Sequence, residues 1–279
     1  MAEAVTERVS RYILDGTDQD LRRLLSIAEL SAEMARTPFR MLGVQHGWNV
    51  IECGCGPIGG LAAMAEMVGP SGRVVSVDFN QAAVQRAREV ASALELDNVE
   101  VVAGDLHELD PAALGGPFDL AYTRCFLMHQ ADAVGTLRHI ADLLRPGGWL
   151  VAQEPLPSPT PRSHPHLDAL TGYWELIYEL LHRAGVPAGA VEDLPRSARE
   201  AGFEVAAISG SVRIGDPELV FEIHTGTLTA ARERGTQLGI AAERIDDLGR
   251  EIQAAKGSGY EWATSPFFLD LALRKPTVA

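Results

Sequence analysis

From residue 48 onward, short apolar runs alternate with stretches of helical period, and this rhythm is what most narrows the folds open to the chain. WNVIE leads into a helical stretch at 58–68, RVVSV into 80–95, VEVVA into a loop, FDLAY into 131–144, and WLVAQ into a long helical region. Such alternation implies right-handed βαβ units and a parallel sheet wound on both faces, an α/β architecture. With 279 residues and 46% apolar content, the chain is long enough to build a sizeable core around it.

The two ends depart from this rhythm. Residues from about 18 to 46 read as helical, with Leu21, Leu24, Leu25 and Ala28 at helical spacing and Pro38 and Gly43 punctuating a second short helix. They form an expected N-terminal cap over 1–47, and the sheet domain then spans 48–279, with helical insertions at about 156–200 and 215–257. Late in the chain FEVAAIS (203–209) and PFFLDLALR (266–274) read as strands. In the second, Phe267, Leu269, Leu271 and Leu273 alternate with Phe268, Asp270, Ala272 and Arg274, which predicts a half-buried strand pairing antiparallel at the sheet edge.

Residues 49–60, NVIECGCGPIGG, join a strand to a helix through a glycine-rich turn. Glycine allows the tight turn and lets backbone approach a ligand with no Cβ in the way. Gly54-x-Gly56-x-x-Gly59 also satisfies the dinucleotide fingerprint, so the glycines alone leave a nicotinamide cofactor open. Three carboxylates weigh on the choice. Glu52 precedes the turn, where a pyrophosphate would gain nothing from negative charge and a cationic ligand would tolerate it. Asp78 ends the second strand, placed for ribose hydroxyls, and Asp105 follows the third, placed for an adenine amine.

These motifs resemble the class I S-adenosylmethionine-dependent methyltransferases, whose first motif is an acid followed by a Gly-x-Gly turn, as in Glu52-Cys53-Gly54-Cys55-Gly56. The likeness runs over about 48–155, through Asp78, Gly104-Asp105, Phe118-Asp119 and Leu144-Arg145-Pro146-Gly147-Gly148, and departs where the third glycine of the common pattern is Ile58. The resemblance implies a mostly parallel seven-stranded sheet with a reversed last strand. It also implies that Gly54 and Gly56 lie beneath the methionine part of the cofactor, that Asp78 holds the ribose, and that Asp105 and Leu106 face adenine. Phe79 is placed to pack on the adenine, Arg124 to pair with the cofactor carboxylate, and Tyr12 to close over the cofactor from the N-terminus.

The acceptor side is read from the added helices. His129, in YTRCFLMHQ (122–130), and His224, in ELVFEIHTGTLTAARE (218–233), are the candidate general bases. Tyr173 and Tyr178, in the aromatic helical stretch 164–182, and Glu222 are the candidate substrate contacts. A small-molecule acceptor is expected, with methylation at O, N or C left open. The alternatives are an NAD(P)-dependent oxidoreductase and a noncatalytic S-adenosylmethionine-binding protein.

Composition bears on partners. A net charge of −14 argues against a nucleic-acid partner, which would need clustered Lys and Arg. No membrane span or signal peptide is recognised, so a cytoplasmic protein with no membrane partner is expected. Cys53, Cys55 and Cys125 are an odd set that reads as reduced thiols, with no metal site. Apolar stripes on the added helices suggest a homodimer.

Overall fold

The computed structural model describes residues 35–57, 60–187 and 189–277. Tyr12, the spacing from Leu21 to Ala28, Ile58 and Gly59 therefore lie outside the described residues. Residues 35–42 are helical and stop at Gly43, whose φ of +67° turns the chain.

The described residues fall into two compact units. The first comprises 35–154, 189–210 and 269–277, and carries a seven-stranded sheet. Its strands are β1 (Asn49–Cys53), β2 (Arg73–Asp78), β3 (Val99–Ala103), β4 (Phe118–Arg124), β5 (Leu144–Pro155), β7 (Glu204–Ser211) and β10 (Phe268–Arg274), in the spatial order β3-β2-β1-β4-β5-β10-β7. β1 pairs in parallel with β2 and β4, β2 with β3, and β4 with β5; the last strand is reversed. Helices α1 (Leu61–Val68), α2 (Gln81–Ala93) and α3 (Ala133–Leu143) follow β1, β2 and β4, as the alternation predicts, and α5 (Leu194–Glu200) belongs to this unit as well.

The reversed strand is not at the edge, as its alternation suggests. β10 lies between β5 and β7, and β7 forms the edge. An interior place explains why Leu271 and Leu273 are buried and why Gln153 Nε2, on β5, donates to Asp270 Oδ1 at 2.8 Å. Gln153 also accepts from Tyr122 Oη at 2.7 Å, so a buried polar chain crosses three strands. The motif acid Asp119 holds strands together. It accepts from the Asn49 backbone N–H at 2.8 Å and pairs with Arg145 at 2.7 Å, joining β1 and β5 through β4.

One core cluster packs Ala35 and Phe39 against Val50, Met64, Val74, Leu120, Tyr122 and Val151. Phe39 meets the Tyr122 ring edge-on at 5.0 Å.

The second unit comprises 155–187 and 211–268. It carries α4 (Asp168–Arg183), α6 (Pro217–Gln237), α7 (Ala242–Ala255) and a three-stranded sheet, β6-β9-β8, of Ser163–His164, Trp262–Thr264 and Ile214–Gly215. Among the described residues no helix is long and apolar enough to cross a membrane.

Phe39 is 1% exposed, so Phe39→Ala removes a buried ring and leaves a cavity. The expected loss is about 3–5 kcal/mol, read by urea unfolding.

Candidate cofactor and acceptor sites

At the carboxyl ends of β1 and β2, two acidic side chains stitch the glycine-rich turn. Glu52 is 3% exposed; its Oε1 accepts from the Gly60 N–H at 2.6 Å and its Oε2 from the Ser76 hydroxyl at 3.0 Å. Burial pushes its pKa up to about 7 against the pull of the Gly60 hydrogen bond and the nearby Arg124 charge. Glu52 thus supports the turn from beneath, whereas the sequence alone sets it against the ligand. Asp78 Oδ2 accepts from the Gly56 N–H and Oδ1 from the Asn80 N–H, both at 2.8 Å. Burial raises the Asp78 pKa, and backbone hydrogen bonds from Asn80, Gly56 and Phe79 oppose the rise. Each carboxylate oxygen has a second lone pair, so Asp78 keeps acceptor capacity for hydroxyls.

The two glycines do different work. Gly54 has φ +74°, and a Cβ there would stand 2.2 Å from the Phe126 ring. Gly56 has φ +60°, and a Cβ there would meet no atom of the described residues within 4 Å. The first glycine is required by close packing and the second is not, though both need the left-handed backbone that glycine adopts without strain.

Beyond the turn, Asp105 Oδ1 accepts from the His107 N–H at 3.0 Å, Leu106 is buried and Phe79 is partly buried. At the end of β4 the backbone bends at Cys125, which holds φ +50°, a conformation non-glycine residues adopt uncommonly. The bend separates Arg124 from Phe126. Burial works against the Arg124 charge, but nearby Tyr122, Cys125 and Glu52 outweigh it and raise the pKa, so the guanidinium stays cationic.

Two contributors were not legible in the sequence. Phe126 roofs Gly54 from a distant part of the chain. Glu154, fully buried, accepts from the backbone N–H groups of Phe126, Leu127 and Met128 at 3.2, 2.9 and 3.1 Å. It clamps the 3₁₀ turn Leu127–His129, and burial lifts its pKa to about 7. His129 is the last residue of that turn, fixed by an N–H bond to the Phe126 carbonyl.

In the second unit, Tyr173, Trp174, Tyr178 and His224 gather. The Tyr173 and His224 rings are 4.2 Å apart, and Trp174 and Tyr178 are 5.9 Å apart. Tyr178 donates its hydroxyl to the Pro155 carbonyl. Glu222 does not join them. Two residues before His224 on α6, it is rotated about 200° around the helix axis and its side chain is exposed, while His224 is buried. Burial lowers the His224 pKa to about 4, so the ring is neutral at pH 7. That makes it a hydrogen-bond acceptor and a poor store for a proton. Cys53 and Cys55 are buried thiols, and burial raises the pKa of both, which keeps them protonated. Among the described residues no group of three or more His, Cys, Asp or Glu could hold a metal ion.

This turn, with an acid beneath it and another at the next strand end, has the form of the strand–turn–helix loops that hold nucleotide-like cofactors on doubly wound sheets. Residues 45–208 match the family described as "Methyltransferase domain", and the chain belongs to that family. A Streptomyces fradiae transposon protein of 37.1 kDa, uncharacterized, is 35% identical over 167 residues, covering 60% of this chain and 46% of that protein. The demethylmenaquinone methyltransferase of Listeria monocytogenes is 28% identical over 152 residues, covering 54% of this chain and 63% of the enzyme. The chain thus spans less than two thirds of the length of these relatives. A solved S-adenosylmethionine-dependent methyltransferase from Aquifex aeolicus shares the fold, with TM-score 0.52 and 18% identity, covering 70% of this chain and 91% of that one.

Two outcomes are expected. Gly54→Ala places a methyl against Phe126 and lowers stability in thermal melts, and Phe126→Ala in the same chain recovers part of the loss. The second concerns pH. Folded Glu52 binds its proton near 7 and the unfolded residue near 4.5, so between these values the folded state holds more protons and loses stability as pH rises. Glu52→Gln, which keeps the acceptor to Gly60, lacks that loss. Its stability relative to the parent should rise by roughly 3 kcal/mol between pH 5 and 8 in urea titrations.

Proposed function

We propose that this chain is an S-adenosylmethionine-dependent methyltransferase that acts on a small-molecule acceptor. The observation that carries the reading is the stitched turn: Gly56, where a Cβ would meet no atom of the described residues within 4 Å, with the Asp78 carboxylate hydrogen-bonded to its N–H and the Arg124 cation at the neighbouring strand end. When bound, the cofactor supplies an electrophilic methyl group on a sulfonium.

The chain's residues then bind and orient. Gly54 and Gly56 let the backbone approach the methionine portion, and Arg124 pairs with its carboxylate. Asp78 accepts from the ribose hydroxyls through its remaining lone pairs. Asp105 accepts from the adenine amine, with Leu106 and Phe79 against the ring. Tyr12, outside the described residues, is assigned to covering the cofactor. His129, held by the Glu154-clamped turn, is the proton acceptor when the nucleophile carries a proton. On the acceptor side the reading uses Tyr173, Tyr178 and His224, with His224 serving through its hydrogen bond. Displacement at a methyl group needs nucleophile, carbon and sulfur in line, so alignment in a dry site supplies most of the rate.

The family assignment weighs against the oxidoreductase alternative. Within this reading the protein works in the cytoplasm as a homodimer on acceptors other than nucleic acid or membrane; the net charge of −14 supports the exclusion of nucleic acid.

Asp78→Ala is expected to weaken S-adenosylhomocysteine binding at least tenfold by calorimetry and to cut turnover correspondingly; because it also strands the Gly56 and Asn80 N–H groups it lowers the melting temperature, so binding is compared at a temperature where parent and variant are both folded. Unchanged affinity in Asp78→Ala and in Gly54→Val would contradict the reading. Tight cofactor binding with no S-adenosylhomocysteine released across a broad acceptor screen would favour a noncatalytic binding protein.

A further inference from the structure

The aromatic cluster of the second unit contains two buried polar atoms that find no hydrogen-bond partner among the described residues: Trp174 Nε1 and His224 Nε2. Their complementarity is fixed by chemistry. Indole nitrogen can only donate. His224 Nδ1 lies 2.6 Å from the Val220 carbonyl oxygen, and since a carbonyl only accepts, the proton is on Nδ1 and Nε2 presents a bare lone pair. One orphan is thus a donor and the other an acceptor.

The two side chains are neighbours on different helices. Trp174 on α4 and His224 on α6 have ring centroids 6.4 Å apart at 81°. Trp174 is 6% and His224 2% exposed. Tyr173 stands edge-on to both, at 5.4 Å from Trp174 and 4.2 Å from His224. Buried polar groups in folded proteins are nearly always satisfied, and leaving two in one cluster opposes folding unless something satisfies them.

We infer that Trp174 and His224 form a recognition pair for a neutral hydroxyl group carried on a flat, apolar ring, as in a phenol or naphthol. A neutral hydroxyl has the matching chemistry, a lone pair for Trp174 Nε1 and a proton for His224 Nε2. A carboxylate, phosphate or sulfonate has no proton for His224. The neutral imidazole gives an anion no charge to pair with, and its low pKa keeps it neutral over the working pH range. The Trp174 indole beside that hydroxyl suits a planar apolar body. The inference rests on the acceptor reading proposed for this cluster for its claim that this hydroxyl compound is the methyl acceptor; binding itself does not depend on it.

Calorimetry on the full chain tests the pair, with S-adenosylhomocysteine titrated first into the parent and every variant. The probes are then 2-naphthol, 2-methoxynaphthalene, naphthalene and 2-naphthoate. In the parent, 2-naphthol should bind saturably and at least tenfold more tightly than the ether, which can accept from Trp174 but has nothing to donate. 2-Naphthoate should bind no better than naphthalene. Trp174→Phe and His224→Phe should each lose at least tenfold for 2-naphthol while S-adenosylhomocysteine binds as in the parent. Equal affinity for naphthol, ether and naphthalene, no saturable naphthol binding, or both variants binding naphthol as the parent does would overturn the pair; the last result, with raised stability, would mean a trapped water only. Loss of S-adenosylhomocysteine binding in the parent would strike the cofactor reading instead, leaving the naphthol comparison to be read by itself.

Discussion

The site depends on two carboxylates spent on backbone. Glu52 takes the Gly60 N–H and Asp78 the Gly56 N–H, so both sides of the turn after β1 are fixed by hydrogen-bond-accepting side chains from adjacent parallel strands. Neither bond would form unless β1 and β2 were in register, with Glu52 opposite Ser76 and Cys53 opposite Val77. The parallel sheet and the glycine-rich loop are therefore one construction. The backbone ladder sets the strand spacing, and the core of Phe39, Leu120 and Tyr122 packs against the strands so placed.

Keeping such acids buried costs stability at neutral pH, and the chain adds a third. Glu154 repeats the pattern, holding three N–H groups of the segment after β4 that brings Phe126 over Gly54. The strained backbone at Cys125 lies between Arg124 and Phe126, where one residue's direction must be separated from the next. A buried carboxylate that satisfies several N–H groups exchanges stability for a defined loop shape, which suits a site whose chemistry is mostly alignment.

Much of this was legible in sequence because it is periodic or local. The strand–helix rhythm from β1 to β5 and the acids at strand ends could be read directly. What could not be read lies across space or is too short to have a period. β6 and β8 are two residues each, and a pair of residues shows no alternation. The roof of Phe126 over Gly54 and the clamp of Glu154 follow from strand order, which no local pattern carries. Placing β10 at the edge failed for the same reason, since only the position of β7 makes it interior. Glu222 is different: its separation of two residues from His224 already put the two on different helix faces, and helical phase sufficed to exclude it.

The most direct measurement is calorimetric titration of the intact chain with S-adenosylhomocysteine and, separately, with NADH. The account predicts saturable one-to-one binding of S-adenosylhomocysteine, undisturbed by NADH. Saturable NADH binding with no uptake of S-adenosylhomocysteine would contradict it.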